Sequence, residues 1–579
     1  MLWLFAAMLA CAPKSVPETT LAEAAVSENG RTDAIVGSVE PGLRLRDVDF
    51  PGDRSVAAAG RTVLGLWLEI HPDLAADAGL LGDGLRLPSY APAVVQDRLS
   101  RLDSAAATLA QIDESALAVA DRIDLRLLQS AVAQARHALV TERRWTHRPA
   151  EWLEPVGTLL VAHLASPEPV PGATDVLAGQ LPAMLDELRA EVTAPTARDV
   201  QTALGLMDGL VAMFGGLPAS TETAAAIAAL KSTRAHFAAM EGLPEMHMIG
   251  PESYRWRLKH ALLLPWDAET LLARAEADLA AVNAEIAALE AQVAEPAPAT
   301  DAERAMAAAL DQDGVLALYD TMVSRYLTAL QNMDVLTVPE DLPPIRARPT
   351  PEALIPLTGD GGSMNPVAQF GPTEGAWWNV EHFDGALSEE ERLSTVLFMN
   401  RPSANWFGPY AVHEGVPGHH LQLSIARDNP RPVRKLLQST PLVEGWALYA
   451  EGLFEGEGGF GGTSLGRLVM LRSYRARIKR VVFDVKVETG VWTLQEAADW
   501  KHDAKPGEGT IGPELLRTVQ WPTQLIGYYA GREEIEVLRE DCRVAWGDAY
   551  SDRRFHDALL AEGPIPVSLV RLALLGDDA

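Results

Sequence analysis

The stretch whose residue types and spacing could do chemistry is His413-Glu414-Gly415-Val416-Pro417-Gly418-His419-His420. It begins like H-E-x-x-H, a helical pattern in which two histidines one turn apart hold a metal ion and the first glutamate acts as general base. Here the fourth residue after His413 is a proline, and histidines follow only at positions 419 and 420. The sequence has 13 histidines in 579 residues, so three within this stretch are an unusual concentration. The alternative is a chance His-Glu pair beside a turn with two surface histidines.

The delayed histidine can be interpreted as an insertion into H-E-x-x-H. On a straight helix His420 would lie in line with His413 but roughly 10 Å further along the axis, too far to share a metal ion with bonds of about 2 Å. Pro417 breaks the helix, and Gly418 accepts unusual backbone conformations. Looping these two residues out would place His419 where the second ligand belongs. We therefore predict His413 and His419 as ligands, and His420 as the alternative ligand or a contact behind the ligands or to substrate.

A third ligand is predicted in the segment Val443-Glu444-Gly445-Trp446-Ala447-Leu448-Tyr449-Ala450-Glu451. Two histidines and a glutamate from a following helix form an open three-ligand site for zinc. Glu444 and Glu451 lie seven residues apart and share a helix face. One could bind the metal ion while the other supports a ligand histidine from behind, and we assign Glu444 to the metal and Glu451 to support. The alternative is two solvated glutamates.

These motifs carry a family resemblance. H-E-x-x-P-G-H-H-x-Q followed by E-G-W-A-x-Y-x-E resembles the bacterial family of domain of unknown function 885, many of whose members are candidate lipoproteins. Glu514-x-x-Arg517 and the segment 522–528 resemble the family's E-x-x-R and P-G-Q-x-x-x-Y, with Thr523 in place of the usual glycine. Where the family often has D-x-G-x-H, this chain has Asp484 and Glu488, so no role for that histidine is carried over.

The resemblance spans roughly residues 45 to 575 and implies a mostly helical fold similar to zinc metallopeptidases. It aligns Tyr528, not Tyr529, with the family's tyrosine, and we predict that Tyr528 stabilises an oxyanion. It also places Asn379 in an aromatic strand that precedes the histidine motif, where it could support the site or contact substrate. In the basic run 464–482, Arg475 could hold a substrate carboxylate through a bidentate fork, and Arg517 could do the same. Structural ion pairs are the alternative for both arginines.

The segment 356–375 is rich in glycine and proline and is predicted to be a loop. It leads to Trp377-Trp378-Asn379-Val380, the best strand candidate near the site. An edge strand beside a metal ion can bind an extended peptide by backbone pairing, and we expect that role here. A short buried hairpin is the alternative.

The N-terminus predicts export and anchoring. Residues 1–10 form an apolar run that is too short to cross a bilayer and suits a signal peptide. Met8-Leu9-Ala10-Cys11 resembles a lipobox, in which Cys11 becomes the lipidated first residue of the mature chain. Residues 12–47 read as a flexible tether. We expect a lipid-anchored protein of the cell envelope; the alternative is an apolar N-terminus on a cytoplasmic protein.

Residues 48–579 are predicted to form a mainly α metallopeptidase-like domain with a small β-sheet beside the metal site. Its helical half spans 48–340 and the half carrying the site spans 341–579. The clearest helix begins after Asp267, a plausible N-cap, and ends before the breaker at Glu295-Pro296. The net charge of −30 disfavours nucleic acid and anionic membrane surfaces as partners, and no second apolar run of membrane length follows. The oligomeric state stays open.

Together these features predict zinc-dependent hydrolysis of a peptide or related amide bond at the cell envelope. His413, His419 and Glu444 would hold one Zn²⁺ ion, and Glu414 would act as general base toward the attacking water. The alternative is a lipoprotein on the same fold that binds peptides or cell-wall fragments without catalysis.

Overall fold

The computed structural model describes residues 42–244, 248–293, 297–351, 355 and 363–576. The predicted lipobox around Cys11 and most of the predicted tether lie outside these residues. At the tether's described end, Leu45 is buried in the hydrophobic core, and its backbone N–H donates to Asp83 Oδ2 at 2.7 Å. The packed domain therefore includes residues at the end of the segment predicted as a tether.

Helices account for most of the described chain, and this confirms the mainly α fold. The α-helices before the first strand are α1 Arg54–Ile70, α2 Pro72–Asp77, α3 Pro92–Leu109, α4 Val119–His137, α5 Ala150–Ala165, α6 Ala173–Glu191, α7 Ala197–Gly216, α8 Thr221–Ala238, α9 Gly250–Trp256, α10 Ala268–Glu290, α11 Asp301–Ala308 and α12 Gln312–Met333.

Local sequence signals set the ends of several of these helices. The Asp267 side chain accepts a hydrogen bond from the backbone N–H of Thr270 at 2.8 Å, which is the predicted N-cap of α10. This helix buries Leu271, Ala275, Val282 and Ile286, at the spacing of one helical face. The periodicity and the capping residue therefore predicted this element correctly.

A small sheet follows the helical half. Its strands are β1 Ile345–Pro349, β2 Ser363–Asn365 and β3 Ala376–Val380, in the order β1-β3-β2. Strand β3 pairs parallel with β1 and antiparallel with β2, so it is the central strand. The expectation that this strand is a free edge for a peptide substrate is therefore wrong, because both of its backbone edges are paired within the sheet. Strand β2 also lies within the segment predicted to be only a loop.

The remaining helices carry the candidate site. They are α13 Glu389–Asn400, α14 Phe407–Glu414, α15 His419–Arg427, α16 Pro432–Leu436, α17 Thr440–Gly456, α18 Ser464–Glu488, α19 Leu494–Lys501, α20 Pro513–Gln520, α21 Gly527–Trp546, α22 Asp552–Ala561 and α23 Val567–Leu575.

Helices α17 and α21 cross at very close range because small residues meet at the crossing. A Cβ atom on Gly445 would lie 2.4 Å from the carbonyl carbon of Gly531. Only glycine allows this approach, which brings Glu444 on α17 and Tyr528 on α21 into the same region. One hydrophobic core continues from α1 through α17 and α21 to α23 and ties the two halves together.

Among the described residues, no helix is both long enough and apolar enough to span a bilayer.

Candidate metal centre

The histidine motif is split between two short helices. Helix α14 ends at Glu414 and α15 begins at His419, so four residues interrupt the helix where two were predicted to loop out. A Cβ atom on Gly418 would lie 2.0 Å from the carbonyl oxygen of His413 and 2.3 Å from that of Val412. The Gly418 N–H instead donates to the Val412 carbonyl at 3.1 Å. The tight turn thus depends on glycine at position 418.

The turn brings three donor side chains together. His413 Nε2 and His419 Nε2 each lie 3.4 Å from Glu444 Oε2. One donor atom from each of the three residues falls within 4.8 Å of the other two, and all three side chains are buried. The structure therefore brings together His413 and His419, which the insertion into H-E-x-x-H predicted as ligands, and Glu444, which was predicted as the third ligand from the following helix.

The donor set fits a divalent transition metal ion. Both ring nitrogens of His419 and the Oε2 atom of Glu444 are buried without a hydrogen-bond partner. Leaving such atoms unpaired costs about 1–3 kcal/mol each, and coordination of a cation would offset that cost. Two imidazoles and one carboxylate are the ligands of open catalytic zinc sites.

A second carboxylate fixes the orientation of the His413 ring. Glu451 Oε1 lies 2.9 Å from His413 Nδ1, while the Ser473 hydroxyl donates to Glu451 Oε2 at 2.8 Å. Arg477 Nη2 lies 3.6 Å from Glu451 Oε1, and its Nη1 donates to Ser473 at 2.8 Å. With Nδ1 engaged by Glu451, Nε2 of His413 is directed toward Glu444, as an outer carboxylate does for metal-bound histidines.

The carboxylates dominate the electrostatics of His413. Burial lowers its pKa, but its close contacts with Glu444 and Glu451 and the charges of Glu451 and Glu414 outweigh burial and raise the pKa to about 9. Without a bound cation, His413 is therefore protonated at neutral pH and shares its charge with two carboxylates.

Glu414 is adjacent to a candidate ligand but does not belong to the cluster. Its side chain is 2% exposed, and its Oε2 atom has no hydrogen-bond partner. Burial and the charge of Glu444 raise its pKa, although His419, His413 and Arg477 oppose that shift. A buried carboxylate with a raised pKa and a free oxygen suits a general base.

Tyr528 lies beside the cluster. Its ring stacks on that of His413 with centroids 5.8 Å apart, and its side chain is 1% exposed. Burial and the charge of Glu444 raise the pKa of Tyr528, so the phenol keeps its proton and can donate it in a hydrogen bond.

Two arginines hold the Tyr528 side chain. Arg517 Nη2 donates to the hydroxyl at 3.4 Å, and the Arg480 guanidinium lies 4.6 Å from the ring centroid. Arg517 also donates to Gln524 Oε1 at 2.7 Å, and Gln524 Nε2 donates to Glu444 Oε1 at 3.4 Å. Arg517 is thus tied into the site, whereas its predicted role toward a substrate carboxylate stays a prediction.

Three other residues that were predicted to belong to the site lie outside the donor cluster: His420, Asn379 and Arg475. His420 does not belong to the donor cluster; it is buried, and burial lowers its pKa to about 4 against a hydrogen bond with the Pro343 carbonyl. Asn379 is held within the sheet, accepting from Arg348 at 2.8 Å and donating to Asn365 at 2.7 Å. Among the described residues, none forms a hydrogen bond or ion pair with the Arg475 side chain. The basic run reaches the site through other positions, Arg477 and Arg480.

The sequence did not identify Gln524, Ser473, Arg477 or Arg480 as site residues. The sequence carries a partial signal for them, because Ser473 and Arg480 lie seven residues apart and therefore share one face of α18. Thr523 shows why the family's motif carries glycine there: its φ of +70° lies in the left-handed region that favours glycine.

Asp484 and Glu488, which stand where the family often has D-x-G-x-H, form a separate buried pair. Tyr254 donates its hydroxyl to Asp484 at 2.8 Å, and the Ile249 N–H donates to Glu488 at 3.0 Å. Burial raises both pKa values, that of Glu488 to about 7.

A cavity of about 460 Å³ lies between the helical half and the site. Its lining includes residues of α1, α2 and α4 together with Glu444 and Gln524. The cavity therefore meets the candidate metal centre at the carboxylate ligand.

Two solved structures are similar to this chain. One is a candidate lipoprotein of unknown function from Shewanella oneidensis, with 20% identity, a TM-score of 0.71, and coverage of 90% of this chain and 100% of that one. The other is a candidate lipoprotein from Colwellia psychrerythraea, with 16% identity, a TM-score of 0.66, and coverage of 90% and 98%. At these identities the likeness establishes the fold. No curated protein matches the sequence.

The sequence profile of a bacterial protein family of unknown function, DUF885, matches residues 72–574. Because that match covers well over half of the sequence, the chain belongs to the DUF885 family.

Proposed function

We propose that this protein hydrolyses a peptide or related amide bond with the help of one zinc ion held by His413, His419 and Glu444. The observation that carries the proposal is the convergence of three buried donor atoms within 4.8 Å of one another. Glu414 and Tyr528 lie on the same small region of the fold and supply the two further groups that amide hydrolysis needs.

The roles follow from the side-chain chemistry. A zinc ion at this site would polarise the attacked carbonyl and make water more acidic. Glu414 accepts the proton of the attacking water at its free Oε2 atom and then transfers it to the leaving amine. Tyr528 donates a hydrogen bond to the carbonyl oxygen as negative charge develops there.

The surrounding residues position these groups. Glu451, Ser473 and Arg477 hold the His413 ring, while Gln524 holds the distal oxygen of Glu444. Preorganised polar groups contribute to catalysis because they need no rearrangement as the reaction proceeds.

The second candidate function is a non-catalytic lipoprotein that binds peptides or wall fragments. The burial of the site favours it, since His413, Glu414 and Tyr528 are each no more than 3% exposed. A substrate would have to displace packed side chains to reach them. In either case we propose a lipid-anchored protein of the cell envelope, supported by the signal-like N-terminus that ends at Cys11.

Purified full-length protein tests the first proposal against the second. Metal content measured by mass spectrometry should show one zinc ion per chain, and a mixed peptide library should show cleavage. The Glu414→Gln variant should keep the zinc ion and lose about 10²–10⁴-fold in kcat, because an amide cannot accept the proton. Zinc without turnover in the wild type would favour the binding protein, and loss of zinc in the variant would make Glu414 a ligand.

A further inference from the structure

The turn that follows α20 connects the proposed zinc ligand Glu444 to the rest of the fold. It consists of the three buried residues Pro522, Thr523 and Gln524, the 522–524 turn. Gln524 Nε2 donates to Glu444 Oε1 at 3.4 Å, and Gln524 Oε1 accepts from Arg517 at 2.7 Å. The direction of this side-chain amide depends on the backbone of the turn that carries it.

The backbone of the 522–524 turn is strained at Thr523. Its φ of +70° lies in the left-handed region, which is an outlier for a β-branched residue. Glycine adopts this conformation without a steric cost. Residues in such conformations persist only where the surrounding structure holds them. The contacts that hold the backbone beside Thr523 therefore also set the direction of Gln524.

The carbonyl of Pro522, immediately before Thr523, is the best-held point of the turn. It accepts a hydrogen bond from Arg257 Nη1 at 2.9 Å and another from the Thr523 hydroxyl. A carbonyl oxygen has two lone pairs, so both are engaged. Rotation of the peptide plane between residues 522 and 523 would change the φ of Thr523, and it would break both hydrogen bonds.

Arg257 belongs to the helical half of the molecule. It lies in the π-helical turn Arg257–Ala261 that continues α9, 265 residues before Pro522 in the sequence. Its Nε and Nη2 atoms donate to the two carboxylate oxygens of Glu142, Nε at 2.7 Å. The Glu142 side chain is 2% exposed. This buried bidentate ion pair fixes the guanidinium with Nη1 directed at the turn.

Two neighbouring arginines of the helical half contact the end of α20. Arg144 donates to the carbonyl of Gln520, and Arg148 donates to that of Val519. These contacts satisfy carbonyls that a helix C-terminus leaves without partners. Of the three arginines, Arg257 is the one whose contact lies within the turn.

We propose that Arg257 is a positioning residue for the candidate metal centre: it holds the 522–524 turn through the Pro522 carbonyl and, through Gln524, fixes the orientation of Glu444. The inference rests on the zinc site of the proposed function. Glu444 directs Oε2 toward the two histidines and Oε1 toward Gln524. A change in the direction of the Gln524 amide therefore changes how the carboxylate presents its ligand oxygen.

Zinc affinity, measured by competition with a chelator of known affinity, tests this series of contacts without turnover. The variant combines Arg257→Gln with Glu142→Gln, because the paired change leaves no buried carboxylate without its partner. Groups that support a metal ligand from behind are worth about 10–100-fold in metal affinity. Arg257 acts through one further residue, so we expect a loss of about tenfold, the lower end of that range.

Two additional substitutions show whether the loss passes through the turn. Thr523→Gly makes the left-handed φ free of strain, so adding it should restore zinc affinity to within about threefold of the wild type. Gln524→Ala removes the link to Glu444, so the paired Arg257 variant should cause no further loss in that background. A general loss of stability would produce neither pattern.

Arg255→Gln is the matched control. Arg255 lies two residues before Arg257, is 49% exposed and pairs with Glu269 on the surface, so zinc affinity should not change. Thermal melting reports whether each variant is folded. If the paired variant does not fold, Arg257→Lys keeps a cation beside Glu142 but loses the guanidinium fork, and it should show a smaller loss that Thr523→Gly also restores.

Three results would each overturn the positioning role. They are zinc affinity within about threefold of the wild type in the folded Arg257 variants, no recovery when Thr523→Gly is added, and full additivity with Gln524→Ala.

The positioning role and the proposed hydrolysis fail in different ways. If the expected changes in zinc affinity appear in a chain that hydrolyses no peptide, the positioning role stands and the hydrolysis fails. If the wild type hydrolyses peptides and the Arg257 variants bind zinc as the wild type does, the hydrolysis stands and the positioning role fails. A wild type that binds no zinc overturns both.

Discussion

Gly418→Ala should disrupt the candidate metal centre while leaving the rest of the fold intact. The added Cβ atom would lie 2.0 Å from the carbonyl oxygen of His413 and 2.3 Å from that of Val412. Both neighbours are backbone atoms of α14, so no flexible side chain can move away to relieve the contact. Because His413 and His419 flank the turn, any relaxation changes the distance between their rings.

The size of the effect follows from these distances. Ordinary van der Waals contact begins at about 3.4 Å, so the backbone at position 418 must move away from the α14 carbonyl oxygens by more than 1 Å. Overpacking of this kind costs about 1–3 kcal/mol of stability, whereas a functional site tolerates displacements of only about 0.5 Å. Removing a group that merely supports a metal ligand weakens metal affinity about 10–100-fold. Displacing a ligand itself should reach at least about 100-fold, or roughly 2.7 kcal/mol.

Competition with a chelator of known zinc affinity measures this loss, and circular dichroism with thermal melting reports the fold. The matched control is Gly452→Ala on α17, the helix that carries Glu444, where an added Cβ meets nothing within 4 Å. That variant should bind zinc normally and gain about 0.5–1 kcal/mol in stability. If Gly418→Ala binds zinc within about threefold of the wild type, the turn does not set the ligand geometry and the insertion argument is wrong.

Three further predictions test other parts of the molecule. Tyr528→Phe should lower kcat by roughly 10²-fold, about 2.7 kcal/mol, with the zinc content unchanged; full activity in a turnover assay would remove the hydroxyl from the mechanism. The pKa of Glu488 is raised to about 7 from 4.5 by burial, so its contribution to stability is present below about pH 4.5 and lost as the pH rises through 7. The free energy of unfolding, measured with urea, should therefore fall between pH 5 and 8, and Glu488→Gln should remove up to about 3 kcal/mol of that fall; an unchanged pH profile in this variant would contradict the assignment. Cys11→Ser should release the protein from the membrane fraction if Cys11 carries lipid, and recovery of wild-type protein in the cytoplasm with Met1 intact would refute the anchor.

The sequence predicted much of the candidate site because the chemistry of the site depends on the spacing of residues that lie close together in the chain. The Pro417-Gly418 insertion indicated a broken helix, and that break favoured His419 over His420 as the second ligand. The seven-residue spacing of Glu444 and Glu451 indicated one helix face, and both carboxylates reach the His413 ring from that face. Helical periodicity likewise predicted the mainly α fold and the start of α10 at Asp267.

Other features depend on which elements pack together, and local spacing carries no information about that. The pairing of β3 on both edges comes from β1 and β2, which lie 31 and 13 residues earlier at their first positions, so no pattern within β3 could distinguish a central strand from an edge. Arg480 instead of Arg475 reaches Tyr528 because α18 packs against α21 with that face inward. Residue type and spacing determined which side chains could do chemistry here. Tertiary packing alone decided which arginines hold Tyr528 and that β3 is the central strand of its sheet, because both depend on contacts between segments distant in sequence.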